Sequence, residues 1–320
     1  MPTGEKNQVM KYINALPTSD RQIKWPGYFL FGLILTVFLW GCTVAPTKKH
    51  QVEDIAKSLE EGTIISVRLN EPVSMGELFK DLESCRITYV GEKHTNAAHH
   101  KIQLQIIQAV YRHNPNMAVG MEMFDHTYQA VLDSWSAGKL DEATFLRKVH
   151  WYANWRFDYA LYRDILNFIK DNQIRVVALN IPSDITKKIR VGGVENLRDA
   201  EKKHLPENID LSYTDHRDYV QKVFEDHRHH FKGNVKFEDF YAAQTVWEDI
   251  MAERIVKNLA NSSMVVLAGN GHIQFKYGIP DRVYKQTGAP FRTIYLAPVG
   301  SEVEQGIADY FWVTQQAEDR

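Results

Sequence analysis

Two short motifs that each carry a histidine follow apolar runs of the sequence. Glu92 and His94 belong to a Gly-Glu-Lys-His motif that comes directly after the apolar run 87–90. His272 belongs to a Gly-Asn-Gly-His motif that comes after a second such run, 264–268. Both runs are typical of buried strands, and both motifs precede a helical pattern. Because ligands of open α/β sheets bind at the carboxyl ends of the strands, we expect the two motifs to meet in one crevice.

Glu122 supplies a second acidic side chain in another buried run, 117–123. A carboxylate there is costly to bury unless a cation, a proton or a metal lies beside it. Residues two apart on a strand face the same side, so Glu92 and His94 can point together into the crevice. With Glu122 and His272 they form a set suited to acid–base hydrolysis or to binding zinc, manganese or iron. We predict all four as catalytic residues, and His94, Glu122 and His272 also as ligands of a divalent metal ion.

Three further residues near these motifs are candidates for binding a cofactor. His99 lies in the first turns of the helix predicted after His94, where it could line the mouth of the crevice, although a solvated position is the alternative. Tyr277 lies about one helical turn beyond His272. A tyrosinate can hold ferric haem as an axial ligand, and a lysine or histidine can bind its propionates. Lys276 is therefore included in the set, and the alternative for Tyr277 is a ring packed on the sheet.

Other common motifs for chemistry are absent from the sequence. The segment 269–271 has neither the third glycine of a dinucleotide fingerprint nor the lysine of a P-loop, and there is no Gly-x-Ser-x-Gly elbow. The two cysteines, Cys42 and Cys85, lie too far apart for a thiolate zinc site or c-type haem attachment. The balance of 38 basic and 40 acidic residues gives no electrostatic reason to expect nucleic acid as a partner.

The elements that must position these residues alternate between strand and helix patterns. Strands are predicted at residues 64–69, 87–90, 117–123, 175–179, 264–268, 294–297 and 310–313. Helices are predicted at residues 75–83, 97–113, 125–135, 141–149, 158–170 and 237–259, with another beginning at 183. This alternation predicts an α/β fold with a mostly parallel central sheet flanked by helices. The strand 310–313 is expected at an edge, and the polar segment 194–236 is expected to be a helical insertion.

The N-terminal residues have the layout of a bacterial secretion signal. Positive charges in residues 1–27 precede thirteen uncharged, mostly apolar residues, which are fewer than the roughly 20 that a transmembrane helix needs. The Leu-Trp-Gly-Cys motif that ends at Cys42 resembles a lipobox, which implies that Cys42 is lipidated. The residue after Cys42 is Thr43 and not Asp, and this favours the outer membrane as the destination of the lipoprotein. We predict a signal segment at 1–42, a tether at 43–59 and one domain at 60–320, with an uncleaved anchor as the alternative.

Several of these motifs recur in a familiar order. They are Gly91 to Asn96, Glu122 to Phe124, Ala178 to Pro182, Gln244 with Met251 and Ala252, Leu267 to His272, and Tyr277 to Pro280. In this order they resemble the ChaN-like haem-binding uptake lipoproteins of the Tiki and erythromycin-esterase superfamily over about residues 60–315. The resemblance implies an α/β fold, a role in iron or haem acquisition, and haem bound between the subunits of a dimer. Enzymatic branches of the superfamily use the positions of His94, Glu122 and His272 for hydrolysis, whereas ChaN-like members are better described as binders.

These observations lead to one expected function and two alternatives. We expect a lipid-anchored protein of the cell envelope that binds haem for iron acquisition as a homodimer, with the membrane and haem as its partners. The first alternative is a metal-dependent hydrolase that uses the His/Glu set at the strand ends. The second is a structural envelope lipoprotein that binds neither haem nor metal.

Overall fold

The structure, a computed structural model, describes residues 59–231, 235–259, 262–301, 303–304 and 306–315. The predicted signal segment 1–42 with Cys42, and nearly all of the tether 43–59, lie outside these residues. The described strands are β1 Ile64–Ser66, β2 Glu71–Val73, β3 Ile87–Glu92, β4 Ala118–Asp125, β5 Arg175–Asn180, β6 Met264–Gly269, β7 Phe291–Pro298 and β8 Tyr310–Thr314. Together they form a single sheet in the order β2-β1-β8-β7-β3-β6-β4-β5.

The α-helices of the described residues cover both faces of this sheet. They are α1 Met75–Leu82, α2 Ala97–His113, α3 Gln129–Ser136, α4 Glu142–Lys148, α5 Trp151–Asn154, α6 Arg163–Asp171, α7 Ser183–Gly192, α8 Asp199–Lys202, α9 Thr214–His227, α10 Phe237–Leu259 and α11 Ile279–Thr287. The long helices predicted at 97–113 and 237–259 are confirmed to the residue. None of the helices described is both long enough and apolar enough to cross a membrane.

The sheet is mixed, which corrects the prediction of a mostly parallel sheet. Six neighbouring strands, β8, β7, β3, β6, β4 and β5, run parallel and form its core. At one side β1 pairs antiparallel with both β8 and β2. The physical reason is the connection between β1 and β2, which is too short for the crossover that a parallel pair requires. Pro72, which has no N–H to donate, is tolerated because β2 is an edge strand.

The last described strand, β8, is not at an edge, so that part of the prediction was wrong. It lies between β7 and β1 and hydrogen-bonds to both. All five of its residues are buried, which matches a strand covered on both faces and paired on both sides. The edges of the sheet are β2 and β5.

Two apolar layers hold the helices against the sheet. One face packs against α1, α2, α3, α4 and α6, through residues such as Ile106, Trp135 and Leu166. The opposite face packs against α7, α10 and α11, through residues such as Val246 and Val283. Burial of each large apolar side chain stabilises the fold by about 1.5–3 kcal/mol before entropy is counted. Cys85 is also buried in the described fold, as its position just before the strand β3 predicts.

The segment predicted as a helical insertion does contain helices. Within 194–231 the chain forms the short helix α8, the longer helix α9, and 3-10 turns at Val194–Asn196 and Arg228–His230. α9 packs beside α10 at the carboxyl edge of the sheet, so this segment supplies one wall of the crevice described next.

Candidate functional site

The strand order brings the predicted residues to one edge of the sheet. β6 lies between β3 and β4, and Glu92 at the end of β3 is paired in register with Gly269 at the end of β6. Glu122 projects from the neighbouring β4, and its Oε2 accepts a hydrogen bond of 2.7 Å from the backbone N–H of Gly269. The convergence that the sequence motifs predict is therefore present in the fold.

Glu92 and His94 form the first half of the site. Nδ1 of His94 lies 2.6 Å from Oε1 of Glu92. The Tyr162 hydroxyl donates to the same oxygen at 2.6 Å, and the Gln103 side-chain amide donates to Oε2 at 2.8 Å. The Glu92 carboxylate is 2% exposed, so these donors replace the water it would otherwise bind. The ring of His94 is thereby fixed with its second nitrogen, Nε2, turned away from Glu92.

The charges of this pair support one another. Burial opposes ionisation of Glu92, but the hydrogen bond from His94 holds the pKa of the carboxyl below its usual value. Burial likewise opposes the charged form of His94, yet Glu92, and then Glu122, raise the pKa of the imidazole. A basic imidazole held in one orientation by a carboxylate is an arrangement suited to accepting a proton.

Aromatic rings enclose His94 on its exposed side. Trp155 lies 4.8 Å from the imidazole between ring centroids, and Phe157 lies 5.0 Å away. Both rings come from the aromatic-rich segment 150–157, which packs beside the strand end that carries His94. The same segment forms the short helix α5, whose Trp151 belongs to the core.

Glu122 and His272 form the second half of the site. Nε2 of His272 lies 3.5 Å from Oε1 of Glu122, and Nδ1 lies 3.2 Å from Oε1 of Glu248. Burial by itself would lower the pKa of His272, but the two flanking carboxylates raise it to about 10. Burial opposes the charge on Glu122, but His272 and the N–H of Gly269 lower the pKa of that carboxyl to about 2. The pair is therefore ionised at neutral pH.

Glu248 is the functional residue that sequence reasoning missed. Its Oε2 lies 2.9 Å from Nε2 of His216 and 3.3 Å from the Arg282 guanidinium, and its side chain is fully buried. Arg282 in turn donates a 2.7 Å hydrogen bond to Asp249. The available signal was an adjacent pair of acids, Glu248 and Asp249, on the otherwise apolar stretch of a long helix. Buried acids of this kind need cationic partners.

The predicted divalent metal site at His94, Glu122 and His272 is not supported. Among the described residues, no group of three or more His, Cys, Asp or Glu side chains is arranged to hold an ion. The physical reason is the surroundings of His272, since each of its ring nitrogens faces a carboxylate. The resulting imidazolium carries a proton on both nitrogens and has no lone pair to offer a metal.

All four residues of the predicted set line a crevice of about 650 Å³ at the carboxyl edge of the sheet. Its floor is polar and its upper wall, formed by α9 and α10, is largely apolar. The apolar and aromatic lining residues are Tyr219, Val220, Val223, Phe240, Trp247, Tyr295, Leu296 and Pro298. Trp247 packs against His272 with 4.8 Å between ring centroids. The volume and the apolar character are typical of a site for a small organic molecule or cofactor.

The three residues predicted to hold a cofactor have different surroundings. His99 is fully buried at the base of the crevice, where Nδ1 accepts a 2.9 Å hydrogen bond from the N–H of Lys93 and Nε2 lies 3.2 Å from the Thr314 hydroxyl. Burial lowers its pKa to about 4, so its ring is neutral. The ammonium of Lys276 lies 2.6 Å from Asp309.

Tyr277 is half-buried beside the crevice. Its ring stacks on Phe275 at 5.5 Å and lies 6.4 Å from the ring of Tyr219, which does line the crevice. Burial raises the pKa of its hydroxyl, and the nearby acids Asp215 and Asp281 add to the effect. Tyr219 is a second tyrosine that sequence reasoning did not single out, because nothing in the sequence relates α9 to the strand ends.

These features define a class, an α/β protein with paired His and Glu residues beneath an aromatic crevice at the carboxyl edge of its sheet. The chain belongs to the family described as haem-binding uptake, Tiki superfamily, ChaN, which it matches over residues 78–283. Among solved structures it resembles that of "Cofacial heme binding to ChaN of Campylobacter jejuni". The TM-score is 0.63 at 16% identity, and the match covers 80% of this chain and 98% of that chain. At this identity the likeness shows a shared fold.

Two more distant likenesses carry no argument about function. One is to the type III effector HopBA1, with 12% identity, TM-score 0.44, and coverage of 75% of this chain and 92% of that chain. The other is to an erythromycin esterase mutant in its open conformation, with 13% identity, TM-score 0.44, and coverage of 74% and 76%. None of the curated proteins compared with the sequence matches it.

Proposed function

We propose that the protein binds haem in the crevice at the carboxyl edge of its sheet. The observation that carries the proposal is the combination of family membership with an aromatic-lined crevice of about 650 Å³. A planar apolar macrocycle needs a cleft whose walls can exclude water from both its faces. Residues such as Val223, Phe240 and Trp247 supply such walls. The tyrosines beside them offer oxygen ligands, which suit ferric iron.

A tyrosine is the proposed axial ligand. A phenolate oxygen is a hard, anionic donor that favours ferric iron, which suits capture and release better than redox turnover. Tyr277, which lies beside the crevice, remains our first choice. Its neighbour Tyr219, 6.4 Å away between ring centroids, lines the crevice and is the other candidate. His94 and His272 are less suited, because carboxylates raise the pKa of both imidazoles and so favour their protonated forms.

The experiment is a titration of the purified protein with hemin, followed by its absorption spectrum. We expect a saturable Soret band and a charge-transfer band typical of a ferric tyrosinate. The Tyr277→Phe variant is expected to lose the charge-transfer band and bind more weakly. Tyr152→Phe is the matched control, since Tyr152 is an exposed tyrosine that does not line the crevice. A protein that leaves the hemin spectrum unchanged would overturn the proposal.

We further propose that the chain is a lipid-anchored envelope protein, with Cys42 as the modified residue. The lipobox-like motif and the preceding apolar run support this. Expression with a labelled fatty acid should give a labelled membrane fraction from the unaltered chain and an unlabelled one from Cys42→Ser. Equal labelling of both would remove Cys42 from the proposal.

Haem acquisition through a homodimer is proposed on the family resemblance. Sedimentation at several protein concentrations, with and without hemin, tests it. The expected result is a shift from monomer to dimer when hemin is added. A chain that sediments as a monomer at all hemin concentrations would contradict the dimer and leave haem binding itself intact.

Hydrolysis is the second candidate function, and one specific observation favours it. The 2.6 Å contact from Glu92 fixes the imidazole of His94 as a general base, while the nearby His272 cation could stabilise developing negative charge. Ester hydrolysis with a rate that rises with deprotonation of His94, and is lost in His94→Ala, would support it. His113→Ala, which alters an exposed histidine on α2, is the control.

A further inference from the structure

Two histidines that do not line the crevice face each other beside the end of β4. His126 is the first residue after β4 and begins a 3-10 turn, and His204 lies in the segment between α8 and α9. Nε2 of His126 lies 2.9 Å from Nδ1 of His204, and the two ring centroids are 5.1 Å apart. The pair therefore joins the sheet to the segment that leads into α9, which forms part of one wall of the crevice.

A backbone carbonyl fixes the position of the hydrogen on His126. Nδ1 of His126 lies 3.2 Å from the carbonyl oxygen of Asn180, the last residue of β5, and a carbonyl oxygen only accepts hydrogen bonds. Nδ1 must therefore carry a hydrogen, which leaves a lone pair on Nε2 when the ring is neutral. Burial lowers the pKa of His126, so the neutral ring is the form present at pH 7.

This hydrogen bonding is the kind that histidine ligands of metal ions have. A metal-binding imidazole usually donates its other N–H to a carbonyl or a carboxylate, which fixes the ring with its lone pair toward the ion. For His126 the carbonyl of Asn180 is that acceptor. In the metal-free protein, a hydrogen on Nδ1 of His204 bridges the two nitrogens. An ion that displaces this hydrogen finds one lone pair on each ring.

The surroundings of the pair are compatible with a bound cation. Asp125 and Arg254 are charged side chains that act on His126 in opposite directions, since the carboxylate favours positive charge there and the guanidinium disfavours it. Both imidazoles are half-buried, so water can reach the pair and complete the coordination of an ion. A site with two protein ligands also agrees with the finding that the described residues contain no larger cluster of metal-binding side chains.

The distance between the two nitrogens favours particular ions. With metal–nitrogen bonds of about 2.0–2.1 Å, two nitrogens at right angles on a tetragonal ion lie about 2.9 Å apart, whereas the tetrahedral angle requires about 3.4 Å. The observed separation of 2.9 Å matches the first geometry. Each ring must only turn until both lone pairs point to one side of the line that joins the nitrogens. Cu²⁺ and Ni²⁺ prefer tetragonal geometry, and Cu²⁺ has the highest affinity among the divalent ions of this series.

We propose that His126 and His204 form a binding site for a divalent transition-metal ion, with Cu²⁺ bound more tightly than Ni²⁺ or Zn²⁺. The chain supplies two imidazole nitrogens, and water supplies the other ligands. The ion cross-links the end of β4 to the segment that leads into α9 and so stabilises that wall of the crevice. The site uses none of the residues proposed for haem binding or hydrolysis, so it does not depend on either function.

The test is a titration of the purified chain with copper sulfate, followed by electron paramagnetic resonance. The unaltered chain is expected to bind one tight equivalent of Cu²⁺, with hyperfine splitting from two imidazole nitrogens. His126→Gln and His204→Gln each remove one ligand and keep a side chain that can form hydrogen bonds. Each variant should bind Cu²⁺ at least about tenfold more weakly, a loss of about 1.4 kcal/mol, and its spectrum should show one nitrogen fewer.

The matched control is His227→Gln with His229→Gln, which removes two exposed histidines at and just after the end of α9. This control should keep the tight equivalent and both nitrogens. Cu²⁺ should raise the melting temperature of the unaltered chain and the control but not of the other two variants, and melting without metal checks that all are folded.

Two results would overturn the site. One is an unaltered chain that binds no tight equivalent of Cu²⁺, which would leave the pair as a hydrogen bond only. The other is a signal that persists in His126→Gln and His204→Gln but disappears in the control, which would place the ion on the exposed histidines after α9. The first result needs no variant, so it can be read even if a substitution prevents folding.

Discussion

Nδ1 of His94 lies 2.6 Å from Oε1 of Glu92, and Glu92 is itself the last residue of the central strand β3. The strand therefore ends directly in the group that orients the imidazole. Two further side chains complete the hydrogen bonding of that carboxylate, Gln103 from α2 and Tyr162 from the position just before α6. The orientation of His94 thus depends on the residues that hold the Glu92 carboxylate in place, as well as on the loop that carries His94.

Replacement of Glu92 by Gln should lower the pKa of His94 and destabilise the fold. The amide has no charge to stabilise the imidazolium, and its N–H₂ group meets neighbours that are themselves donors. We expect a loss of about 1–3 kcal/mol in the free energy of unfolding, the range for leaving buried polar groups unsatisfied. Chemical denaturation and NMR titration of the His94 ring measure the two effects.

Glu207→Gln is the matched control for this variant. Glu207 forms an exposed ion pair with Lys257, so its loss should change stability by less than about 1 kcal/mol. An unchanged pKa of His94 in Glu92→Gln would show that the 2.6 Å contact does not govern its protonation.

Stability should decline on both sides of a plateau in pH. The pKa of Glu122 is lowered from 4.5 to about 2, so its contribution is present above pH 4.5 and is lost as the pH falls toward 2. The pKa of His272 is raised from 6.5 to about 10, so its contribution is complete below pH 6.5 and is lost as the pH rises toward 10. Urea denaturation across this range should therefore give its highest values between about pH 4.5 and 6.5.

The His272→Gln variant isolates the alkaline side of this profile, because other groups also titrate there. The variant should lose the part of the decline between pH 6.5 and 10 that belongs to His272, about 1–3 kcal/mol for a charged hydrogen-bonded group. His113→Gln, at an exposed histidine, should keep the full decline. Identical slopes for the unaltered chain and His272→Gln would rule out an ionised pair at Glu122.

Gly278→Ala should destabilise the protein strongly. An added Cβ would lie 2.3 Å from the carbonyl oxygen of His272 and 2.9 Å from Oε1 of Glu248, so the backbone that carries His272 must move. We expect a loss of about 1–3 kcal/mol, as for an overpacked core. Gly271→Ala in the same segment meets nothing within 4 Å and should change stability by less than about 0.5 kcal/mol. Equal melting temperatures for the two variants would contradict this packing.

Haem affinity should increase with pH if Tyr277 is the axial ligand. Burial and nearby acids raise the pKa of its hydroxyl, so the phenolate forms only when the iron displaces a proton. Release of one proton makes affinity rise by up to about tenfold per pH unit below that pKa. Hemin titrations between pH 6 and 8.5 measure the slope, which should disappear in Tyr277→Phe and persist in Tyr152→Phe. If the slope disappears in Tyr219→Phe instead, the ligand is Tyr219.

The carboxyl-edge site was predictable in outline because its signal is local. Each motif marks the end of the strand that precedes it. Because ligands of α/β folds bind at the carboxyl ends of strands, Glu92, His94, Glu122 and His272 could be placed near one another without knowledge of the strand order. The sequence signals for the helix ends are equally local. Ser74 caps α1 and Asn96 caps α2, and both caps form through residues two or three positions away.

The parts that could not be predicted all depend on contacts between distant segments. Glu248 lies in the middle of α10, and only the packing of that helix on the sheet brings it to His272. The interior position of β8 depends on pairing with β1, about 250 residues away along the chain. The metal prediction lacks support for the same reason, since Glu248, which stabilises the protonated form of His272 from its second side, was not recognisable in the sequence as a neighbour.

The pairing of β1 with β8 has a consequence for how the chain matures. Ile64 in the first described strand is aligned with Trp312 in the last one. During synthesis, the apolar residues of β1, which are buried in the fold, therefore stay uncovered until the segment that forms β8 has been made. In a nascent chain, or in one truncated before β8, β7 would be an unpaired edge strand that could associate with other chains. A chaperone that covers this edge until β8 is in place would protect such a chain from aggregation.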